Sequence, residues 1–168
     1  MKLIASFQVD HTKIRPGIYV SRRDAVRGGY ITTFDVRMKS PNIEPAIHPD
    51  AMHTIEHIVA TFLRNSPFQD NVIYWGPMGC LTGCYFLTNT VHKIQPREIA
   101  PLVREAFQYL ANYEGEVPGA SAVNCGYCLM HNLPMAKYEA AQFLARKWRF
   151  HYQHAKRATT DNGIFYDA

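Results

Sequence analysis

The five residues His53-Thr54-Ile55-Glu56-His57 constrain this chain more than any other stretch. Histidines four apart stand one above the other on a single face of an α-helix. Two neutral imidazoles on one face can bind a divalent transition metal together. Glu56 lies on the adjacent flank, within reach of a metal-bound water or a substrate, and need not be a ligand. The order His-x-x-Glu-His is the inverse of the common zinc-protease motif. The same helix must also bury a face, and Met52, Ile55, Val59, Phe62 and Leu63 repeat at helical spacing. A helix is therefore expected from Ala51 to about Arg64, N-capped by Asp50, with His53, Glu56 and His57 at the edge of the core.

The 168 residues are 47% hydrophobic and 19% charged, the balance of one globular domain over 1–168 that buries a core without staples. The net charge is +4. The basic residues are scattered except for Arg22-Arg23 and a cluster from Arg146 to Arg157, which reads as the solvated face of a late helix. No aromatic-basic motif accompanies it, so no nucleic-acid partner is expected. No stretch approaches a membrane span, and the first residues turn polar too soon for a signal peptide. The expected compartment is the cytoplasm, where Cys80, Cys84, Cys125 and Cys128 are thiols rather than disulfides.

Around the motif helix the pattern is mixed. Residues 3–9 and Ile18-Tyr19-Val20 read as short strands, with a break at Arg27-Gly28-Gly29. Tyr30 to Met38 alternates, placing Phe34, Val36 and Met38 on a core face and the charged Asp35 and Arg37 on a solvated one. Ser40 to Pro49 is a loop. Val72 to Trp75 and Cys84 to Thr90 are further strands. Between them the glycine turn Gly76-Pro77-Met78-Gly79-Cys80 holds Cys80 at its tip, where a neighbouring metal would make the thiol a base. Pro96 opens a helix to about Tyr113, with Ile99, Leu102, Val103, Phe107 and Leu110 inward. Pro134 opens the last helix, to about Ala155, with Tyr138, Ala141, Phe143, Leu144 and Trp148 inward. The tail from about 157 to 168 is expected to be loosely held.

His53 and His57 need at least one more protein ligand. Spacing alone leaves it open among Cys80, Cys84, Cys125, Cys128, His131 and the acidic residues. A His₂Cys site with an open fourth position is a catalytic arrangement, suited to Lewis-acid work on a carbonyl or hydroxyl oxygen.

Ser6-Phe7 with Asp10-His11, Phe34-Asp35-Val36-Arg37, His53-Thr54-Ile55-Glu56-His57, Gly76-Pro77-Met78-Gly79-Cys80 with Thr82-Gly83, and Cys125-Gly126 with His131 occur in one order along the chain. In that order and spacing the chain resembles the S-ribosylhomocysteine lyase (LuxS) family. The resemblance implies an α+β fold, an antiparallel β-sheet packed against helices in a LuxS-type metalloenzyme domain. It implies His53, His57 and Cys125 as metal ligands, Cys80 as the catalytic thiol and Glu56 as the second acid/base. Ser6, His11 and Arg37 would line the substrate pocket. It also implies one Fe²⁺ per subunit, with Zn²⁺ or Co²⁺ as substitutes, and a homodimer with its sites at the interface.

The implied reaction cleaves S-ribosylhomocysteine to homocysteine and 4,5-dihydroxy-2,3-pentanedione, the autoinducer-2 precursor, by carbonyl migration and β-elimination. It needs no net redox change, and no G-x-G-x-x-G calls for a nicotinamide or flavin. Cys84, where the family more often carries an aromatic residue, and Cys128 are read as packing residues. Two rival readings remain from residues alone. One is an inverse-motif (HxxEH) metallopeptidase with a downstream carboxylate as third ligand. The other is a non-catalytic metal-binding domain with a closed His₂Cys₂ site using both Cys125 and Cys128.

Overall fold

A computed structural model describes residue 7 and residues 9–151. The expected strand over 3–9, Ser6 and the tail from 157 fall wholly or mostly outside the described residues. Four strands, β1 (Gly17–Val26), β2 (Gly29–Arg37), β3 (Val72–Pro77) and β4 (Gly83–Thr90), form one antiparallel sheet in the order β1-β2-β4-β3. Three helices, α1 (Pro49–Arg64), α2 (Pro96–Ala111) and α3 (Leu133–Ala145), pack with it. The expected α+β class is the one found.

The register explains the core. Ile18, Val36 and Cys84 lie abreast across β1, β2 and β4, as do Phe34 and Phe86, and these side chains share one core with all three helices. Helix α1 contributes Met52, Ile55, Ile58, Val59 and Leu63, α2 contributes Val103 and Phe107, and α3 contributes Ala140 and Phe143. Truncating Ile55, fully buried at the middle of this stack, is expected to cost ~2–5 kcal/mol through lost transfer energy and a cavity. Denaturant unfolding of Ile55→Ala measures it; a loss under ~1 kcal/mol would mean that α1 is not anchored there.

Five sequence expectations are corrected. His48, not Asp50, caps α1; its Nδ1 accepts from the Asp50 backbone N–H at 3.3 Å, and Asp50 lies in the first turn. The second face of β2 is not solvated, for Asp35 and Arg37 are each only 3% exposed. Their burial is tolerable because each satisfies the other through two hydrogen bonds, Arg37 Nε to Asp35 Oδ1 at 3.0 Å and Nη2 to Oδ2 at 2.5 Å.

The last helix ends at Ala145, ten residues early. The chain turns back there, and Arg149 pairs with Gly17 at the edge of β1, where Ile18 N–H donates to Arg149 O at 2.8 Å. The buried face of α3 is Ala136, Glu139, Ala140 and Phe143, with Tyr138 exposed. Glu139 can lie inward because Lys39 reaches it at 2.5 Å. Among its described residues the late basic cluster is accordingly no helix face: Arg146 is tied to Glu44, and Arg149 belongs to the sheet edge.

Candidate active site

Helix α1 delivers His53 and His57 to its half-buried flank. Each ring is fixed by a backbone carbonyl. His53 Nδ1–H donates to Met130 O at 2.9 Å, and His57 Nδ1–H donates to Pro118 O at 2.7 Å. A carbonyl oxygen only accepts, so both Nδ1 atoms carry the proton and both Nε2 atoms carry a lone pair. The turn that presents Pro118 needs Gly119, whose φ of +70° is a conformation that side-chain-bearing residues rarely adopt.

The loop between α2 and α3 brings in the third donor. Cys125 Sγ lies 3.5 Å from His53 Nε2 and 3.8 Å from His57 Nε2. Bonds of ~2.0–2.1 Å to nitrogen and ~2.3 Å to sulfur at a tetrahedral angle leave donor atoms about 3.5 Å apart. Two imidazoles and one thiol therefore fit a borderline-soft divalent ion. His131 joins the group, and one donor atom from each of His53, His57, Cys125 and His131 lies within 4.8 Å of the others. A metal ion could be held within this group. Burial, with His53 and His57 beside it, holds the His131 imidazole below its ordinary range. Cys128 is not in the group, and neither is any carboxylate of the described residues.

The second cluster surrounds Cys80. The turn between β3 and β4 exposes this thiol. Leu81 beside it takes a left-handed φ of 55°, a costly conformation for a leucine. Hydrogen bonds hold it there: Leu81 N–H donates to Met78 O at 2.9 Å, and Leu81 O accepts from Ile47 N–H at 2.9 Å. Gly83 follows because a Cβ there would meet Val36 O at 2.4 Å. Arg37 donates through Nη1 to Thr82 Oγ1 at 2.6 Å and reaches Cys80 Sγ at 3.7 Å, while Thr82 Oγ1 lies 3.1 Å from the sulfur. Burial pushes the Cys80 thiol up, but Thr82 and the Arg37 guanidinium outweigh it and hold the thiol below its ordinary range.

Cys80, Thr82, Arg37, His11 and Glu44 line one cavity of about 400 Å³, within the size range of small-ligand pockets. His11 is held over it by a hydrogen bond to Val9 O at 2.8 Å. Glu56 is half-buried on α1 and lies within electrostatic range of Cys84, as do Cys80 and Arg37. Cys84 itself is fully buried against Met52 Sδ at 3.6 Å, and burial pushes its thiol far up, so it stays a neutral core group.

The family model for S-ribosylhomocysteinase (LuxS) matches residues 4–154. The chain belongs to that family. It is 54% identical over 147 residues to an S-ribosylhomocysteine lyase of Porphyromonas gingivalis, covering 86% of this chain and 90% of that one. Identity is 53% over 145 residues to the protein of the same name in Phocaeicola vulgatus, covering 86% and 89%. It is 48% over 146 residues to that of Clostridium acetobutylicum, covering 86% and 91%. No helix of the described residues is long and apolar enough to cross a membrane.

The structure thus brings His53, His57 and Cys125 together as one group, and His11, Arg37 and Cys80 together around one cavity. Ser6 lies outside the described residues. Sequence reasoning passed over Asp35, Thr54 and Thr82. The available signal was slight: Asp35 stands two residues from Arg37 on the same strand face, and Thr82 stands two residues beyond Cys80 in its turn.

Proposed function

We propose that this chain is the metal-dependent lyase that cleaves S-ribosylhomocysteine to homocysteine and 4,5-dihydroxy-2,3-pentanedione. The observation that carries the reading is the pairing of a His₂Cys donor set on α1 and its facing loop with an activated thiol beside a small-molecule cavity. His53, His57 and Cys125 would hold the ion, with Fe²⁺ as the assigned metal and Zn²⁺ or Co²⁺ as substitutes. When bound, the ion supplies Lewis-acid polarisation of the sugar's oxygens.

The remaining chemistry belongs to the chain. Arg37 and Thr82 hold the Cys80 thiol below its ordinary range, which favours the thiolate that takes a proton from carbon. Glu56 is the second acid/base, returning protons as the carbonyl moves from C1 to C2 and then to C3. Once the ketone is at C3, loss of the proton from C4, the carbon α to it, expels sulfur from the β carbon C5 and breaks the C5–S bond. The electron pair leaves with sulfur as homocysteine, and the enol left behind takes a proton at C5 to become a methyl ketone. His11 and Arg37, with Ser6, are assigned to substrate binding.

In deuterium oxide, the methyl group of the pentanedione is expected to carry at least one deuterium from that last protonation. Mass spectrometry of the trapped product reads it, and a methyl group without deuterium would remove the elimination step. A second test addresses the thiol. Alkylation of Cys80 by iodoacetamide in the wild type is expected to reach half its maximal rate below the ordinary thiol range, because only the thiolate reacts. Thr82→Val removes a hydrogen bond that favours the thiolate, so its midpoint moves to higher pH. An unmoved midpoint would mean that Thr82 does not tune the thiol.

Neither rival reading gains support. A peptidase called for a carboxylate among the ligands, and a closed His₂Cys₂ site called for Cys128; the converging group contains neither. We further assign a cytoplasmic homodimer with sites at the interface. Phe7, 67% exposed in the single chain, is an apolar group that a second copy would cover. Sedimentation at the mass of one chain would remove that assignment.

A further inference from the structure

His131 is the member of the donor group whose role its position does not make obvious. Its Nδ1 lies 3.2 Å from Thr54 Oγ1. Thr54 has one hydroxyl proton, and that proton goes to Asp50 O at 2.8 Å, since a carbonyl only accepts. The same oxygen accepts from Asn132 N–H at 2.9 Å. His131 must therefore donate from Nδ1, and its Nε2 carries a lone pair. That Nε2 is buried and has no hydrogen-bond partner among the described residues.

An orphaned acceptor beside a metal site suggests a fourth ligand, but the ring planes argue against it. Ligation places the ion in the plane of the imidazole, ~2.0–2.1 Å out along the lone pair. His53 and His57 cross at 87°, so their lone pairs converge. His131 is stacked face to face on His53, with centroids 4.2 Å apart and planes only 18° from parallel. Two rings so stacked direct their lone pairs along separate, nearly parallel planes and cannot meet on one ion.

We infer that His131 is a hydrogen-bond acceptor facing the oxygen held at the fourth position of the metal centre, and that it is not itself a ligand. The Asp50–Thr54–His131 chain of hydrogen bonds fixes its tautomer for that role. With His53, His57 and Cys125 as its protein ligands, a bound ion would keep a further position open, as a catalytic site requires, and a hydroxyl brought there would find a ready acceptor instead of a buried void. The identity of that oxygen as a sugar hydroxyl rests on the lyase reading; the ligand count does not.

Proton NMR of the Co²⁺-loaded wild type decides the ligand count without a variant. Two hyperfine-shifted, solvent-exchangeable ring N–H signals are expected, from His53 and His57, and a third would overturn the inference. In parallel, His131→Ala is expected to keep one equivalent of Co²⁺ with an unchanged thiolate-to-cobalt absorption band, and to lower kcat for homocysteine release by ~10–100-fold. Loss of the metal, or an unchanged kcat, would overturn the role given to His131. Absence of homocysteine release from the loaded wild type would count against the lyase reading alone, leaving the two-signal result in force.

Discussion

Cys80→Ala is expected to lower the rate of homocysteine release by ~10²–10⁴-fold, the usual contribution of a positioned acid/base. Bound metal should stay at one equivalent per chain. Cys80 sits on the cavity wall with Arg37 and Thr82, while the His/Cys group contains no Cys80, so the substitution removes the base and leaves the donors. Glu56→Ala should lower kcat by a similar factor, since the carboxylate lies on the flank of α1 and outside the donor group. Steady-state thiol release and metal analysis on the same samples check both variants. If Cys80→Ala loses its metal, the thiol is a ligand rather than a base. If it keeps full activity, the cavity is not where the chemistry happens.

The other large effect is on metal. Cys125→Ala removes the sulfur that faces both Nε2 atoms and is expected to weaken metal binding by more than ~100-fold. Loss of an outer-shell partner alone costs ~10–100-fold, and losing a direct ligand costs more. Cys128→Ala should keep one equivalent, because Cys128 lies outside the donor group. Competition against a chromophoric chelator measures both affinities. The reverse pattern, with Cys128→Ala empty and Cys125→Ala full, would reassign the sulfur ligand.

Much of this arrangement is legible in the chain itself. The 3.6-residue stripe of Met52, Ile55, Val59 and Leu63 specifies α1, and with it the flank on which His53 and His57 meet. Alternation specifies the core face of β2. The burial of the polar face of β2 is not legible in the alternation, which says which residues oppose each other and not what covers the second face. Asp35 and Arg37 are buried since they pair with each other and with the Cys80 turn.

The stop at Ala145 left no local trace either. Ala145-Arg146-Lys147 are good helix formers, and the helix ends there where tertiary partners hold the chain that follows: Glu44 binds Arg146, and Gly17 pairs with Arg149. Thr54, a filler position in the His-x-x-Glu-His pattern, gave no sign of its tie to His131. That contact joins residues 77 apart in sequence, and no local pattern encodes it.

The most direct measurement is the product balance of anaerobically prepared, metal-replete wild type with S-ribosylhomocysteine. Homocysteine is read with a thiol reagent and the dicarbonyl is trapped with a diamine. The lyase assignment requires both products in equal amounts, with catalytic turnover. No thiol from metal-replete protein, or thiol without the dicarbonyl, would contradict it.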